Sequence, residues 1–500
     1  MKIHKIFGPP GSGKTTYLLN LVEQELESGV PARSIGYFAF TRKAANEARD
    51  RAIAKFNELN AETDFPYFRT LHSLAYRCLR VSNNEIMKPE NYREFARQAG
   101  LDMSVSSGDE EFVVQTDNPI LNEINLARIR GVDLRTHYNR SGLSIEWFHF
   151  EFVERAYRHY KYSNNLMDFT DLLEQIVQEP DYLPKLDVLI VDEAQDLSRL
   201  QWEMVIQLAE RANRTFIAGD DDQAVYNWAG ADVKTFLSLD GEVKVLQQSY
   251  RVPAKIHALA NKVVSRIRSR QEKKWHPRTE EGSIFYYEDF EQVNVTQGEW
   301  LLLASTNYML NDLHEWLKSQ GLMFERHGQR SISENILTAV LGWEALRKGK
   351  AMPMPVVKTI YRFLGAEFVK RGFKTLRNID PNGEYTMTQL QESFGLLTDD
   401  IWHKVLTKIS DAQRQYMISI LRRGARLNDK APIKLSTIHG AKGGEADHVL
   451  LLTDLSPKFA KEYAYNADDV NRLLYVGLTR AKETLHIIKP KSLERGFRIE

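Results

Sequence analysis

The sequence predicts an α/β protein in which parallel strands alternate with helices. A strand-like stretch at residues 3–7 runs into the glycine-rich segment GPPGSGKTT and then into a helix-like pattern. Farther along, the apolar run from Val188 to Val191 has the composition of a strand buried on both faces. With 500 residues, the chain is long enough for about three or four compact units. These features favour a layered architecture with more than one domain.

The composition is that of an ordinary globular protein, with 43% hydrophobic residues, 27% charged residues and zero net charge. The net charge therefore does not indicate that the protein binds nucleic acid. The basic runs at 262–278 and 422–426 are more typical of solvated helix faces. The single cysteine, Cys78, excludes an internal disulfide and fits a reducing compartment. No apolar run approaches the ~20 residues that span a bilayer, and the first motif begins too early for a signal peptide. We expect a cytoplasmic protein with no membrane partner.

The segment GPPGSGKTT predicts a phosphate-binding loop, because it matches G-x-x-x-x-G-K-[ST] between a strand and a helix. Its glycines let backbone N–H groups turn toward phosphates at the start of the helix. We expect Lys14 to reach the β- and γ-phosphates and Thr15 to bind magnesium, while Gly29 stands where the helix would end. The predicted nucleotide contacts of this loop are Gly8, Pro9, Pro10, Gly11, Ser12, Gly13, Lys14, Thr15 and Thr16.

The apolar run at 188–191 ends in the acidic pair Asp192 and Glu193, within the motif DEAQD. Carboxylates at the end of a central parallel strand lie at the same sheet edge as a phosphate loop. We predict that Asp192 binds magnesium and that Glu193 activates the attacking water. The alternative is a pair of helix-capping acids after a core strand.

The segment GDDDQAVYNWAG, residues 219–230, follows another strand-like stretch, RTFIA. An amide at Gln223 can bind the γ-phosphate or the attacking water. Tyr226 and Trp228 are predicted platforms for nucleic-acid bases, each worth about 1–3 kcal/mol. Core packing is the alternative for a lone tryptophan, but the polar, turn-like surroundings of Trp228 favour exposure. One loop would then combine a phosphate sensor with a base platform.

Taken together, the motifs resemble those of the UvrD/Rep/PcrA-like helicases of superfamily 1, in the family's order from Gly8 to Arg480. The further segments that carry the resemblance are FAFTRKAANEA (38–48), RTLHSLAYRCLR (69–80), LMDFTDLL (166–173), LQQSYRVP (246–253), LSTIHGAKGGEADHV (435–449) and NRLLYVGLTRAK (471–482).

The resemblance implies two RecA-like P-loop domains with ATP between them. It also implies that Arg251 and Arg480 reach the γ-phosphate, that Tyr250 stacks on adenine and that Glu445 meets the ribose. The positions that contact single-stranded DNA in the family correspond here to Phe40, His72, Tyr226, Trp228, Thr437 and His439.

For His72 and His439, the alternative is a polar residue in a loop whose hydrogen bonds are satisfied within the protein.

The motifs also set the expected domains, each sheet carrying an inserted, mainly helical subdomain. Buried strands of the second sheet are predicted in WLLLAST, IKLSTIH and DHVLLLTD, and a helix in DIWHKVLTKISDAQRQYMISILRR. The expected parts are 1–75 and 168–250 for the first domain, 76–167 for its insertion, 251–344 and 431–500 for the second domain, and 345–430 for a reduced second insertion.

Four features depart from the family pattern. The seven residues before Gly8 hold no glutamine segment to read the adenine edge, so we expect relaxed nucleotide choice. Ala229 stands where the family has an arginine after the tryptophan. The interval from Arg251 to Thr437 is short, and we expect no partner-binding domain after the last motif.

The motifs thus predict an enzyme that uses ATP and magnesium to move along single-stranded DNA and to unwind duplex at single/double-strand junctions. The direction of movement, 3′ to 5′, is implied by the family resemblance alone. Replication or repair proteins are the enzyme's expected partners. One alternative is an ATP-switched DNA translocase that strips proteins or remodels DNA with little unwinding. A second is a P-loop kinase of small molecules, whose ATPase would not respond to DNA.

Overall fold

The computed structural model describes residues 2–39, 41–55, 60, 63–107, 114–376 and 380–499. The chain forms two compact units. The first unit comprises residues up to Gly282 together with Lys461–Thr479, and the second comprises Ser283–Ala460 and Arg480–Arg498.

The first unit is built on a parallel sheet whose strand order is β3-β2-β6-β7-β1-β8. The central strand β6 is buried along nearly its whole length, as its continuous apolar run predicts. A separate antiparallel hairpin is formed by β4 and β5. The strands are β1 Ile3–Phe7, β2 Ile35–Phe38, β3 Phe68–Arg69, β4 Val105–Ser107, β5 Val114–Thr116, β6 Leu186–Val191, β7 Ala212–Gly219 and β8 Glu242–Val245.

Several helices of the first unit begin at a capping side chain. Thr70 accepts a hydrogen bond from the backbone N–H of Ser73 at the start of α3, and Asp168 and Asp171 cap α8 reciprocally. The helices are α1 Lys14–Glu27, α2 Arg42–Lys55, α3 Leu71–Cys78, α4 Pro89–Ala99, α5 Pro119–Ile129, α6 Leu134–Ser141, α7 Trp147–Ser163, α8 Phe169–Gln178, α9 Arg199–Glu210, α10 Val233–Ser238 and α11 Ala254–Val264.

The predicted first insertion has an apolar core of its own. Helices α4, α5 and α7 supply most of it, and α7 contains the aromatic-rich run WFHFEFVERAYRHYKYS. The core residues are Met87, Tyr92, Phe95, Ile120, Leu121, Ile124, Phe150, Val153, Tyr157 and Tyr160.

A buried ionic cluster ties this insertion to α8. Arg128 on α5 donates to Asp168 at 2.8 Å and to Asp171 at 2.5 Å, and the Lys161 ammonium on α7 lies 2.7 Å from Asp168. Burial alone would raise the pKa of Asp168, but the two cations outweigh it and hold that pKa well below the usual range. The insertion and the sheet domain are therefore joined by matched charges as well as by apolar packing.

The second unit is built on a sheet with the strand order β12-β11-β15-β10-β16-β17-β9, parallel except where β12 pairs with β11. The three strands predicted from WLLLAST, IKLSTIH and DHVLLLTD are confirmed as β10, β15 and β16. The strands are β9 Ser283–Tyr287, β10 Trp300–Ala304, β11 Phe324–Arg326, β12 Gln329–Arg330, β13 Met352–Pro353, β14 Glu384–Tyr385, β15 Ile433–Thr437, β16 Ala446–Leu452 and β17 Ala481–Ile488.

One helix prediction in the second insertion is wrong. The segment DIWHKVLTKISDAQRQYMISILRR is not continuous, because Ser410 caps a new helix by accepting a hydrogen bond from the Gln413 N–H at 3.3 Å. Within this segment Val405 and Met417 are buried in the core, whereas Leu421 is exposed. The remaining helices are α12 Leu310–Ser319, α13 Glu334–Arg347, α14 Met354–Phe363, α15 Met387–Ser393, α16 Trp402–Val405, α17 Asp411–Arg422, α18 Pro457–Tyr465 and α19 Ala467–Leu478.

The predicted α/β class, with two RecA-like parallel-sheet domains and helical insertions, is confirmed. The two compact units do not follow the predicted domain boundaries, since 251–282 and α19 pack with the first unit. The assignment of these segments to a second RecA-like domain stays a prediction. Among the described residues, no helix has both the length and the apolar character that crossing a bilayer requires.

Candidate nucleotide and DNA site

The parallel sheet of the first unit brings the predicted motifs to one edge. Strands β6, β7 and β1 are neighbours, with Val191 opposite Ile217 and Phe7 opposite Gly219. The loops that follow these strands therefore begin side by side, and the Gly8 N–H donates to the Gly219 carbonyl at 3.0 Å. This edge is where α/β proteins bind ligands.

The phosphate loop after β1 has the backbone that its sequence predicts. Gly11 has φ +71°, in the left-handed region that favours glycine, and a Cβ there would lie 2.3 Å from the Arg251 Cβ. The Ser12 hydroxyl is buried and has no hydrogen-bond partner among the described residues. Since α1 starts at Lys14, an orphan hydroxyl and a helix N-terminus converge here, and the loop fits a phosphate group.

Lys14, Asp192 and Glu193 form a compact ionic cluster. The Lys14 ammonium lies 2.9 Å from an Asp192 oxygen and 2.6 Å from a Glu193 oxygen. Burial alone would lower the pKa of Lys14, but the two carboxylates outweigh burial and raise it above the ordinary lysine value. Lys14 is therefore fully charged at neutral pH.

The two predicted magnesium ligands also lie together. The Thr15 hydroxyl donates to Asp192 Oδ2 at 3.3 Å, and the buried Tyr37 hydroxyl donates to the same oxygen at 3.2 Å. A carboxylate beside a hydroxyl is an oxygen donor set of the kind that Mg²⁺ takes in nucleotide sites. The residues present fit the ion.

Gln195 is a residue of this site that the sequence analysis did not single out. It is fully buried, its amide donates to Glu193 at 2.5 Å, and its carbonyl oxygen accepts from the Asp220 N–H at 2.9 Å. Glu193 itself has φ +53°, an uncommon conformation for a residue with a side chain. Gln195 thus holds the predicted base and links its loop to the next one.

The three consecutive aspartates of the loop after β7, Asp220 to Asp222, are buried and serve the fold. The ammonium of Lys273, 3.1 Å from Asp220 and 2.8 Å from Asp222, also binds Asp221. Arg270 binds Asp222 through two hydrogen bonds of 2.7 Å. Burial alone would raise the pKa of Asp222, but Lys273 and Arg270 lower it below the usual range.

Lys273 and Arg270 come from the basic run at 262–278, which was expected to be a solvated face. That interpretation is wrong for these two residues, because each forms an ion pair with a buried carboxylate. Their partners lie some fifty residues away in sequence (52 for Lys273 and 48 for Arg270), so no local pattern signals the pairing. Beyond the aspartates, Gln223 is half-buried and donates to Asp220 at 2.7 Å. Its contact with phosphate or water stays a prediction.

Trp228, in the aromatic loop formed by residues 226–230, is exposed as predicted. The Trp228 side chain is 61% exposed, Tyr226 is half-buried, and the two ring centroids lie 6.4 Å apart. Arg130, which follows α5, donates to the Asn227 carbonyl at 2.8 Å. Gly230 lies close against α5, where a Cβ would come within 2.8 Å of Ile129. The first insertion therefore supports the loop that presents Trp228.

The segment after β8 rests on the phosphate loop. The Tyr250 N–H donates to the Gly11 carbonyl at 2.8 Å, and the Ser249 hydroxyl donates to the Pro10 carbonyl at 2.7 Å. The Tyr250 ring is 73% exposed, as a ring that stacks on a base requires. Its stacking on adenine and the contact of Arg251 with the γ-phosphate stay predictions.

His72 is packed rather than free in a loop. It lies in the first turn of α3, edge-on to the Phe169 ring at a centroid distance of 6.1 Å. Burial lowers the pKa of His72 to about 4, so the imidazole is neutral at pH 7. Its contact with DNA stays a prediction, and the expected contact at Phe40 lies outside the described residues.

The remaining predicted residues belong to the second unit. Thr437 ends β15, and its hydroxyl accepts from the Gly440 N–H at 3.1 Å; His439 stacks on Phe459 at 6.1 Å. Glu445 is exposed, whereas Arg480 is 1% exposed and donates to the Gly444 carbonyl at 3.2 Å. The roles of these four residues toward ATP and DNA stay predictions.

Comparison with known proteins identifies the family. Residues 2–244 match the UvrD/REP helicase N-terminal domain, and residues 406–492 match the UvrD-like helicase C-terminal domain. The chain belongs to the UvrD/Rep helicase family. As a family member, it has its P-loop, its DEAQD motif and its aromatic loop inside the first matched region.

Curated relatives carry helicase names. The chain is 27% identical over 380 residues to the ATP-dependent DNA helicase PcrA of Bacillus subtilis (strain 168), covering 71% of this chain and 50% of that protein. It is 24% identical over 415 residues to the ATP-dependent DNA helicase Rep of Buchnera aphidicola, covering 77% and 60%. It is 28% identical over 310 residues to the ATP-dependent DNA helicase srs2 of Schizosaccharomyces pombe, covering 54% and 34%. The matched region thus spans at most three-fifths of these relatives.

Replacing Lys273 tests the buried aspartate cluster. We expect Lys273→Met to lower the free energy of unfolding by about 3–5 kcal/mol, because three carboxylates lose their shared cation. The loss should be smaller at pH 5 than at pH 7.5, since carboxylates without that cation protonate more readily. Lys274→Met, which alters the exposed neighbouring lysine, is the control. Equal urea-unfolding midpoints for both variants would contradict the assignment.

The packed state of His72 predicts a specific pH dependence. Its pKa is lower in the folded chain, at about 4, than the ordinary 6.5, so the stability it contributes is complete above pH 6.5 and is lost as the pH falls toward 4. The unfolding free energy of the wild type, relative to that of His72→Gln, should fall by at most about 3 kcal/mol over this window. Parallel pH profiles for the two proteins would mean that the imidazole titrates normally.

Proposed function

We propose that this chain is an ATP-dependent DNA helicase that translocates 3′ to 5′ along single-stranded DNA and unwinds duplex at single/double-strand junctions. The observation that carries the proposal is one sheet edge at which Lys14, Thr15, Asp192 and Glu193 lie within hydrogen-bonding distance, beside a loop that exposes Trp228. Phosphate chemistry and base stacking therefore have neighbouring supports. The helicase names of the relatives agree with this combination.

The ionic cluster suggests how hydrolysis is gated. Lys14 holds both carboxylates, and its ammonium is also the group that we expect to bind the β- and γ-phosphates. Phosphate binding would draw Lys14 away from Glu193, which Gln195 then keeps oriented as the base for the attacking water. Magnesium, held by Thr15 and Asp192, would neutralise charge that develops on the phosphate oxygens.

Other predicted residues complete the two sites of the proposal. Arg251 and Arg480 would stabilise charge on the γ-phosphate, as arginines do in other phosphoryl transfers, while Tyr250 and Glu445 would hold the nucleoside. The DNA strand would contact Phe40, His72, Tyr226, Trp228, Thr437 and His439.

One observation favours a second candidate, a translocase that strips proteins or remodels DNA with little unwinding. Ala229 is exposed directly after Trp228, at the place where the family carries an arginine. A strand-displacement assay on a 3′-tailed duplex, run beside ATPase measurements, separates the two functions. Displacement that requires the 3′ tail supports the helicase and its polarity, a preference for a 5′-tailed duplex contradicts the polarity, and DNA-stimulated ATPase without displacement supports the second candidate.

Two substitutions should stop turnover in different ways. Lys14→Ala removes a phosphate contact and is expected to weaken ATP binding. Glu193→Gln removes only the base, so ATP should still bind while hydrolysis falls by a factor of about 10²–10⁴. Equilibrium binding of a fluorescent ATP analogue and single-turnover hydrolysis measure the two effects. Near-normal DNA-stimulated ATPase in Glu193→Gln would show that another group activates water.

Replacing Trp228 should uncouple DNA from ATP. Loss of the ring removes about 1–3 kcal/mol of base binding, so Trp228→Ala should lose both DNA stimulation and unwinding. Hydrolysis without DNA should persist, because the indole is exposed rather than part of the core. Tyr182→Ala, which removes another exposed ring of the same unit, is the control. An equal fall in DNA-free ATPase would instead make Trp228 a structural residue.

A further inference from the structure

Asn227 lies between the two aromatic residues of the loop, and its backbone carbonyl and its side-chain amide nitrogen each have a hydrogen-bond partner. Its carbonyl oxygen accepts from Arg130 at 2.8 Å, while its side-chain amide donates to Asp469 Oδ1 at 2.6 Å. The hydrogen bond from the Asn227 amide to Asp469 is short because a carboxylate is a strong acceptor. The backbone next to Trp228 is thus hydrogen-bonded to the first insertion through Arg130 and to α19 through Asp469.

Asp469 is itself fixed. It lies in the first turn of α19, where Arg472 donates to its Oδ1 at 3.1 Å and Asn466 donates to its Oδ2 at 3.0 Å. Its side chain is 20% exposed, whereas Arg472 is 3% exposed. A carboxylate with three donors on its two oxygens has little freedom to rotate.

Arg472 extends the network back to the aspartate loop. Its Nε donates to the Asp221 carbonyl at 3.0 Å, and its Nη2 donates to the Ser269 carbonyl at 2.6 Å. One buried guanidinium therefore bonds both the loop that carries Gln223 and the carboxylate that holds Asn227. A planar guanidinium presents its donors at fixed angles, so it constrains the relative position of the groups that it joins.

We propose that Asn227, Asp469 and Arg472 form a positioning relay that fixes the aromatic loop relative to the loop bearing Gln223. Through the relay, a displacement of the loop bearing Gln223 changes the stacking position of Trp228. The relay rests on the proposed helicase function and adds to it a link between the two loops. The chain between Gln223 and Trp228 is one connection between the two positions, and the relay is a second. Two separate connections prevent the aromatic loop from pivoting about residues 224–226.

The amide-to-carboxylate bond allows a test by exchange. Asn227→Asp places two carboxylates against each other, and we expect the ratio of DNA-stimulated to basal ATPase to fall about tenfold, within the range typical of coupling between sites. Adding Asp469→Asn exchanges the two groups and restores a donor and an acceptor between positions 227 and 469, but it weakens the Arg472 hydrogen bond to Oδ1, because that acceptor is no longer charged. The double variant should therefore recover part of the lost ratio.

A spectroscopic readout separates positioning from simple loss of stability. Quenching of 2-aminopurine in single-stranded DNA reports stacking on Trp228, and it should weaken in Asn227→Asp and partly return in the exchanged pair. The matched control is Asp468→Asn, because Asp468 is the neighbouring acid of α19 and accepts from Arg268 and Ser269 but not from Asn227. If Asn227→Asp does not fold, Asn227→Ala removes the donor without adding charge and is expected to show a smaller fall in the same direction.

Failures of the relay and of the proposed function are distinguishable. A wild-type chain whose ATPase does not respond to DNA would overturn both. A responsive wild type with an equally responsive Asn227→Asp would overturn the relay alone. The relay would also be overturned if the exchanged pair were no better than the single variant, or if Asp468→Asn reduced quenching as much as Asn227→Asp.

Discussion

A buried charge must be paired with a charge of opposite sign, and this requirement organises the first unit. Arg128 and Lys161 pair with Asp168, Lys273 and Arg270 pair with the consecutive aspartates, and Lys14 pairs with Asp192 and Glu193. The first set joins an insertion to the sheet domain, and the second anchors a loop. In the third, we infer that phosphate displaces one partner of the cation. The same physical rule thus serves folding in two places and, in the proposed mechanism, chemistry in the third.

Local sequence patterns predicted the parts of the site that depend on local physics. Glycines with a following lysine specify the phosphate loop, a continuous apolar run specifies β6, and a polar turn around Trp228 specifies exposure. Each of these depends on residues within about ten positions of one another. For that reason they could be read without knowing the fold.

What could not be predicted depends on distant partners. Burial of Lys273 follows from aspartates that lie on a different loop. Arg472 likewise bonds the backbone carbonyl of the distant Asp221, and Asn227 bonds the distant Asp469. Gln195 joins two loops that meet only because β6 and β7 are neighbours in the sheet. The break before α17 rests on one cap, Ser410, inside an otherwise helical pattern. Unlike the phosphate loop, none of these arrangements is signalled by composition or periodicity.

The exposure of Trp228 also makes it an intrinsic fluorescent reporter. All eight tryptophans lie in the described ranges, and Trp228 alone is exposed, while Trp147 and Trp316 are half-buried and the others are buried. Iodide or acrylamide in solution will reach that indole first, whereas the shielded indoles will keep emitting. The chain therefore carries its own reporter at the place where its loop faces solvent, and no label has to be attached to follow what covers it.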